Sequence, residues 1–151
     1  MKITEILDAK CIKVPLQAAE KYQAITELVD LLNARGLLDD YDAVLKAVME
    51  REAIRSTGIG QGFAIPHGKC NAVSKLVMAL GKVKTPIDFE SIDQHPVSVI
   101  VLLVSPTDQT GPHIQALARI SRLMTDREFR DKIWSADSAE RLYQFILNHE
   151  S

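Results

Sequence analysis

The chain has 151 residues and a formal net charge of −2, with 18 Lys and Arg against 20 Asp and Glu. A sequence pI near 6.1 excludes the broad basic face that nucleic-acid binding needs, and no apolar run reaches the ~18–20 residues that span a bilayer. The hydrophobic fraction of 46% and charged fraction of 25% are those of a globular protein with one full core.

Met1 to Asp8 lacks the uninterrupted apolar stretch and cleavage site of a signal peptide, and Cys11 and Cys70 lack metal-ligand spacing. The expectation is a cytoplasmic chain with reduced thiols. One domain over residues 1–151 is expected, because no repeat, low-complexity tract or Gly/Ser-rich linker interrupts it.

The expected elements begin with a short helical turn around Ile3 to Leu7. Cys11-Ile12-Lys13-Val14-Pro15 reads as a brief strand ended by its proline. Ile25, Leu28, Val29 and Leu32 recur at the spacing of one helical face, with Gly36 to close that helix. Asp39 or Asp40 can cap the next, whose inner face is Val44, Ala47 and Val48. The character then changes. Thr57 to Gly68 (TGIGQGFAIPHG) is glycine-rich without a helical period, which suits short strands and tight turns.

Leu76 to Leu80 and Val97 to Val104 are apolar runs of strand length. The second is nearly unbroken, as for a central strand covered on both faces. Pro112 suits the first turn of a helix carrying Ile114, Leu117, Ala118 and Leu123. Thr125 with Glu128, and Asp137 with Glu140, have capping-box spacing for two more helices. Leu142, Phe145 and Ile146 form the inward stripe of the last. Helices before, among and after the strands predict an α/β protein, a three-layer α/β/α sandwich flanked by helices on both faces. The mixture of short hairpins and helical crossovers predicts a mixed sheet.

His67 is the leading candidate for chemistry. Gly58, Gly60 and Gly62 let backbone approach a neighbour or an anion closely, and Pro66 and Gly68 bracket His67 in what reads as a stiff loop with a sharp turn. A neutral imidazole held this way is a nucleophile near pH 7, and its phosphoramidate is labile enough for onward transfer. The alternative is a histidine on a surface turn.

Arg51 lies on the apolar stripe of its helix, seven residues after Val44. There it must be paired with a structural carboxylate, snorkel, or sit at a pocket edge where its guanidinium can hold phosphoryl oxygens. His113 opens a helix after Gly111-Pro112, where the dipole disfavours imidazolium. It either donates to a phosphate oxygen or faces water. His95, His149, Lys69 and the acidic trio Asp88, Glu90 and Asp93 read as solvated or structural groups. Phe63 occupies the third glycine position of a dinucleotide fingerprint, and no Walker A motif is present.

Taken together, Arg51-Glu52, Ser56-Thr57-Gly58-Ile59-Gly60 and Ala64-Ile65-Pro66-His67-Gly68 resemble the fructose/mannitol class (type 2) of bacterial phosphotransferase-system enzyme IIA domains, which includes the nitrogen-regulatory branch. Pro112-His113-Ile114-Gln115-Ala116-Leu117 resembles that family's second histidine motif, and the resemblance runs over nearly the whole chain. It implies that His67 is the phosphorylated histidine, assisted by Arg51 and His113, with Thr57, Gly58, Gly60, Gly62, Pro66 and Gly68 forming the phosphoryl loop. Arg55, Gln61 and Phe63 depart from the family's commonest choices and leave those residues intact. Phospho-HPr is the implied donor, and a IIB domain or a regulatory target the implied partner. No metal or cofactor is implied, and a membrane transporter would be touched only through partners. Two functions remain open: a phosphoryl carrier of the phosphoenolpyruvate-dependent system, and a non-catalytic regulatory module controlled by its phosphorylation state. No IIB or IIC segment is recognisable in the sequence.

Overall fold

The nearly unbroken apolar run near residue 100 forms the strand on which the sheet is assembled. In the computed structural model, which describes residues 1–151, the elements follow in this order. They are β1 (Ile12–Leu16), α1 (Lys21–Ala34), α2 (Tyr41–Ile54), β2 (Gly58–Gly60), β3 (Phe63–Ala64), β4 (His67–Lys69), β5 (Val77–Ile87), β6 (Val97–Ser105), α3 (Thr110–Thr125), α4 (Arg127–Ser135) and α5 (Ala139–Glu150). The six strands form one sheet in the order β1-β5-β6-β3-β2, with β4 also paired to β6. β5 runs antiparallel to β6, whereas β3 and β4 run parallel to it, so the sheet is mixed as expected.

One edge of β6 carries β3 and then β4. Phe63 pairs with Val99, Ala64 with Ile100 and His67 with Leu103. Leu103 N donates to Pro66 O across the gap between the two short strands. His67 therefore starts a strand, and Gly68 is an extended strand residue rather than the sharp turn expected from the sequence. Its role is close approach. A Cβ on Gly68 would lie 3.2 Å from Val48 N and 3.3 Å from Ala47 C, so the backbone of α2 rests directly on β4. The turn is two strands earlier, where Gly60, Gln61 and Gly62 all have positive φ (93°, 58° and 81°) and glycine avoids the steric cost at two of the three.

The apolar face of α1 is as expected: Ile25, Leu28, Val29 and Leu32 have no exposure, each stabilising the fold by about 1.5–3 kcal/mol. α1 and α2 pack on each other and on β5 and β4, while α3, α4 and α5 form a second contiguous group. Asp40 caps α2 by accepting from Ala43 N. Four expectations need correction. Pro15 lies inside β1 rather than ending it, which an edge strand tolerates. The strand expected at Leu76 to Leu80 runs on to Ile87, through residues too polar to announce themselves. The caps of α4 and α5 are Asp126 and Ser138, each one residue later than the capping-box spacing indicated, because their side chains reach Phe129 N and Arg141 N. The buried face of α3 is His113, Ala116, Ile120, Leu123 and Met124, leaving Ile114 and Ala118 exposed. That face starts on a histidine because Ser105 satisfies the ring.

The two ends of the chain are joined. Glu150 accepts from Ile3 N at 2.7 Å and Thr4 N at 3.1 Å, and Arg119 of α3 pairs with it at 3.1 Å.

Gly68→Ala is expected to lower stability by about 1–3 kcal/mol, since the added methyl must displace helix backbone rather than a flexible side chain. The urea midpoint measures this, and an unchanged midpoint would show that α2 moves freely on β4.

Candidate functional site

Strand alternation sorts the residues around His67 between the two faces of the sheet. Met78, Leu80 and Val101 pack with Ile120, Leu123 and Ile146 beneath the α3–α5 layer. Leu103 pairs with Met78 and with His67, so His67 points to that same layer, while Gly68 between His67 and Lys69 faces α2. The His67 and His113 rings accordingly meet edge to face with centroids 5.5 Å apart.

His67 Nδ1 lies 2.8 Å from Ile65 O. A carbonyl can only accept, so Nδ1 carries the proton and Nε2 keeps its lone pair in the neutral ring. Burial lowers the His67 pKa below the ordinary histidine value, and Arg51 and Lys69 push the same way against the Ile65 hydrogen bond and Glu52. His113 is pushed further, down to about 4, by burial first and then by the charges of His67 and Lys69. Both rings are neutral near pH 7.

His67 opens onto a cleft of about 630 Å³ that Arg51, Arg55, Gln61 and Ile65 also line. Arg51 belongs to the last turn of α2. It enters no ion pair, and its one hydrogen bond runs from Nη1 to Arg55 O at 2.9 Å. Of the settings open to it in the sequence, the structure shows the pocket edge, with the cation free. Of the loop residues, Thr57, Gly58 and Gly60 line the cleft, Gly62 completes the turn beside them, and Pro66 and Gly68 are buried behind His67. His113 is 3% exposed, so all but a sliver of its ring is buried.

Sequence reasoning missed the residue that fixes this loop. The buried stripe of α2 runs Val44, Val48, Glu52, so an apolar face ends on a carboxylate. Glu52 Oε2 pairs with Lys21 Nζ at 3.0 Å, with side-chain exposures of 0% and 7%. Thr57 N donates to the same oxygen at 2.9 Å, and the Thr57 hydroxyl donates to Oε1. The i, i+4, i+8 spacing was the available signal. Apolar side chains ring the opening as well: Ile59 and Ile92 line the cleft at 44% and 73% exposure, with Leu117 of α3 beside them. Ile54, just before Arg55, and Ile114, just after His113, are also exposed. His95 is exposed beside Asp93, and the His149 ring meets Phe129 edge to face.

No helix is long and apolar enough to cross a membrane, and no cluster of three or more His, Cys, Asp or Glu is arranged to hold a metal ion. The model of the family described as "Phosphoenolpyruvate-dependent sugar phosphotransferase system, EIIA 2" matches residues 5–149. The chain belongs to this family. The fructose-specific EIIABC component of Bacillus subtilis is 35% identical over 150 residues, covering 99% of this chain. The chain spans about a quarter of that relative, 24% of its length. The nitrogen regulatory protein of Bradyrhizobium diazoefficiens is 34% identical over 147 residues, 97% of this chain and 95% of that protein. The crystal structure of nitrogen regulatory protein IIA-Ntr from Neisseria meningitidis superposes with a TM-score of 0.88 at 30% identity, over 95% of this chain and 98% of that one. The mixed sheet with its helical layers is thus the fold of the family's solved members.

Glu52→Ala is expected to cost about 3–5 kcal/mol, because Lys21 is left in the interior without its buried partner; a loss below 1 kcal/mol in denaturant unfolding would show the pair to be dispensable. For the histidines, the lowered folded pKa of His113 means that the unfolded chain binds more protons between about pH 4 and 6.5. Its contribution to stability is therefore present above about 6.5 and is lost as pH falls toward 4. NMR titration of the rings is expected to show both still mostly neutral at pH 6.5, and a His113 ring half-protonated there would contradict the burial described.

Proposed function

We propose that residues 1–151 act as one cytoplasmic domain, a phosphoryl carrier that accepts a phosphoryl group from phospho-HPr on Nε2 of His67. The observation that carries this is the pairing of a neutral ring, tied through Nδ1–H to Ile65 O, with an unengaged Arg51 guanidinium on the same cleft. In the step itself the Nε2 lone pair forms the new N–P bond as the donor's N–P bond breaks, and the electron pair of that bond returns to the donor imidazole. Positive charge develops on the His67 ring, where the Nδ1–H···O=C bond to Ile65 is already aligned to spread it. Negative charge on the equatorial oxygens is met by Arg51 and His113. The chemistry needs no metal, since positioning and charge stabilisation supply the rate.

The exposed isoleucines fit a protein donor rather than a small molecule. Ile59 and Ile92 form an apolar rim on the cleft, exposed Ile54 and Ile114 adjoin Arg55 and His113 in the chain, and HPr would bury this apolar surface while bringing its phosphorylated side chain to His67. Onward transfer to a IIB domain would use the same rim, so the two partners would bind in turn.

A second reading keeps phosphorylation and drops onward transfer. It is favoured by the likeness to nitrogen regulatory proteins, that of B. diazoefficiens at 34% identity and the N. meningitidis structure at a TM-score of 0.88. A phosphorylated His67 would add about −1.5 to −2 charges at the centre of an apolar rim, enough to change which target binds there.

Incubation with enzyme I, HPr and phosphoenolpyruvate, followed by intact mass, is expected to show one added phosphoryl group on the wild type and none on His67→Ala. Arg51→Ala is expected to fold normally and accept the group about a hundredfold more slowly. An unmodified wild type would sink the carrier reading, and label persisting on His67→Ala would move the site. Adding a IIB domain separates the two readings, because a carrier loses its label and a switch retains it.

A further inference from the structure

Ser105 ends the central strand and is 0% exposed. Its carbonyl accepts from Cys70 N at 2.9 Å and its register with Lys69 ties it to β4. Two residues on from Leu103, it faces the same layer as His67. Its hydroxyl meets His113 Nδ1, and it has no other side-chain hydrogen bond.

That single contact assigns the protons. A neutral imidazole has one N–H and one bare nitrogen. Were the proton on Nδ1, Ser105 would accept it, and its own O–H would be left without an acceptor in the core. Were Ser105 the donor, both groups would be satisfied and the ring proton would sit on Nε2. His113 Nε2 has no partner in the protein. It is not among the buried polar atoms without partners, which are Ser91 Oγ and Arg130 Nε, so within a ring only 3% exposed the Nε2 edge keeps a marginal contact with solvent. It belongs to the ring that lies edge to face with His67.

We propose that Ser105 is a positioning residue: it holds His113 in the tautomer bearing its proton on Nε2, poised to donate to an oxygen of a phosphoryl group on His67. In the other tautomer His113 would present a lone pair to that oxygen, and two acceptors repel. The assignment of the tautomer stands on the free protein alone, whereas the donation to phosphate rests on the carrier reading of His67.

The test is a long-range proton–nitrogen correlation spectrum of the unphosphorylated full chain, with transfer rates from phospho-HPr measured alongside. In the wild type His113 is expected as the Nε2–H form, and Ser105→Ala is expected to shift it toward a mixture. Ser105→Ala is expected to slow phosphoryl acceptance about threefold to tenfold, with the Nδ1–H signature of His67 unchanged. Ser105→Thr, which keeps the hydroxyl, is expected to recover both the tautomer and most of the rate. A wild-type His113 protonated on Nδ1 overturns the proposal without any variant. A Ser105→Ala protein with the Nε2–H form and full rate overturns it as well. An Nε2–H tautomer in a chain that takes no phosphoryl group would overturn the donation and the carrier reading together, and leave the tautomer assignment standing.

Discussion

Glu52 brings a carboxylate with no solvent exposure to the place where α1, α2 and the approach to β2 converge. A charge there costs several kcal/mol in lost hydration unless its oxygens are occupied. Lys21 of α1 takes one, and the N–H and hydroxyl of Thr57 close the rest. The consequence is geometric. Thr57 cannot shift without uncovering the carboxylate, so the loop that lines the cleft is locked to the helix that carries Arg51. The Lys21 ammonium also sits 5.5 Å from the Phe89 ring, and Ser56 donates to Phe89 O, which brings the β5–β6 connection into the same knot. Separating the helix from the loop would leave a buried charge uncompensated, so the two stay together.

With the loop held, the two-residue period of a strand divides the labour at its end. His67 and Ser105 share one face and Gly68 the other, so a single register on β6 sets both the distance to His113 and the seat of α2. Bareness at Gly68 lets the helix carrying the free cation come close. A bulkier residue there would act on the cleft from behind, without touching a ligand. The neutral state of both rings follows from the same packing, because the layers that bury them remove the water that would stabilise imidazolium.

Much of this was legible in the sequence. The helical periods of α1 and α5 and the central strand follow from local spacing, whereas the glycine-rich stretch Thr57 to Gly68 announced short strands and turns without showing that the sharp turn lies at Gly60–Gly62 rather than at Gly68. His67, Arg51 and His113 were candidates on local grounds and through the family resemblance, and the fold brings them to one region. Other features were hidden for identifiable reasons. The run after Leu80 is interrupted by Gly81, Lys82 and Lys84, so β5 looks shorter than it is. Ile114 has the composition of a core residue, but the inward stripe of α3 runs from His113 through Ala116, Ile120 and Leu123 and leaves it facing out. A periodic pattern registers apolar residues, whereas here two polar positions, Glu52 and His113, occupy the inner faces because distant partners satisfy them. Ser105 was invisible for the same reason: a serine closing an apolar run gives no hint that its hydroxyl faces an imidazole eight residues on.

The bond from Glu150 to the backbone of Ile3 and Thr4 carries a consequence of another kind. It places the first and last turns of the fold side by side, so both ends of the chain leave from one spot on the surface. A polypeptide attached at either end would be tethered to the same corner, and a circularly permuted version would need only a short bridge. Such a body can be appended to or spliced between other folded units without stretching its own frame.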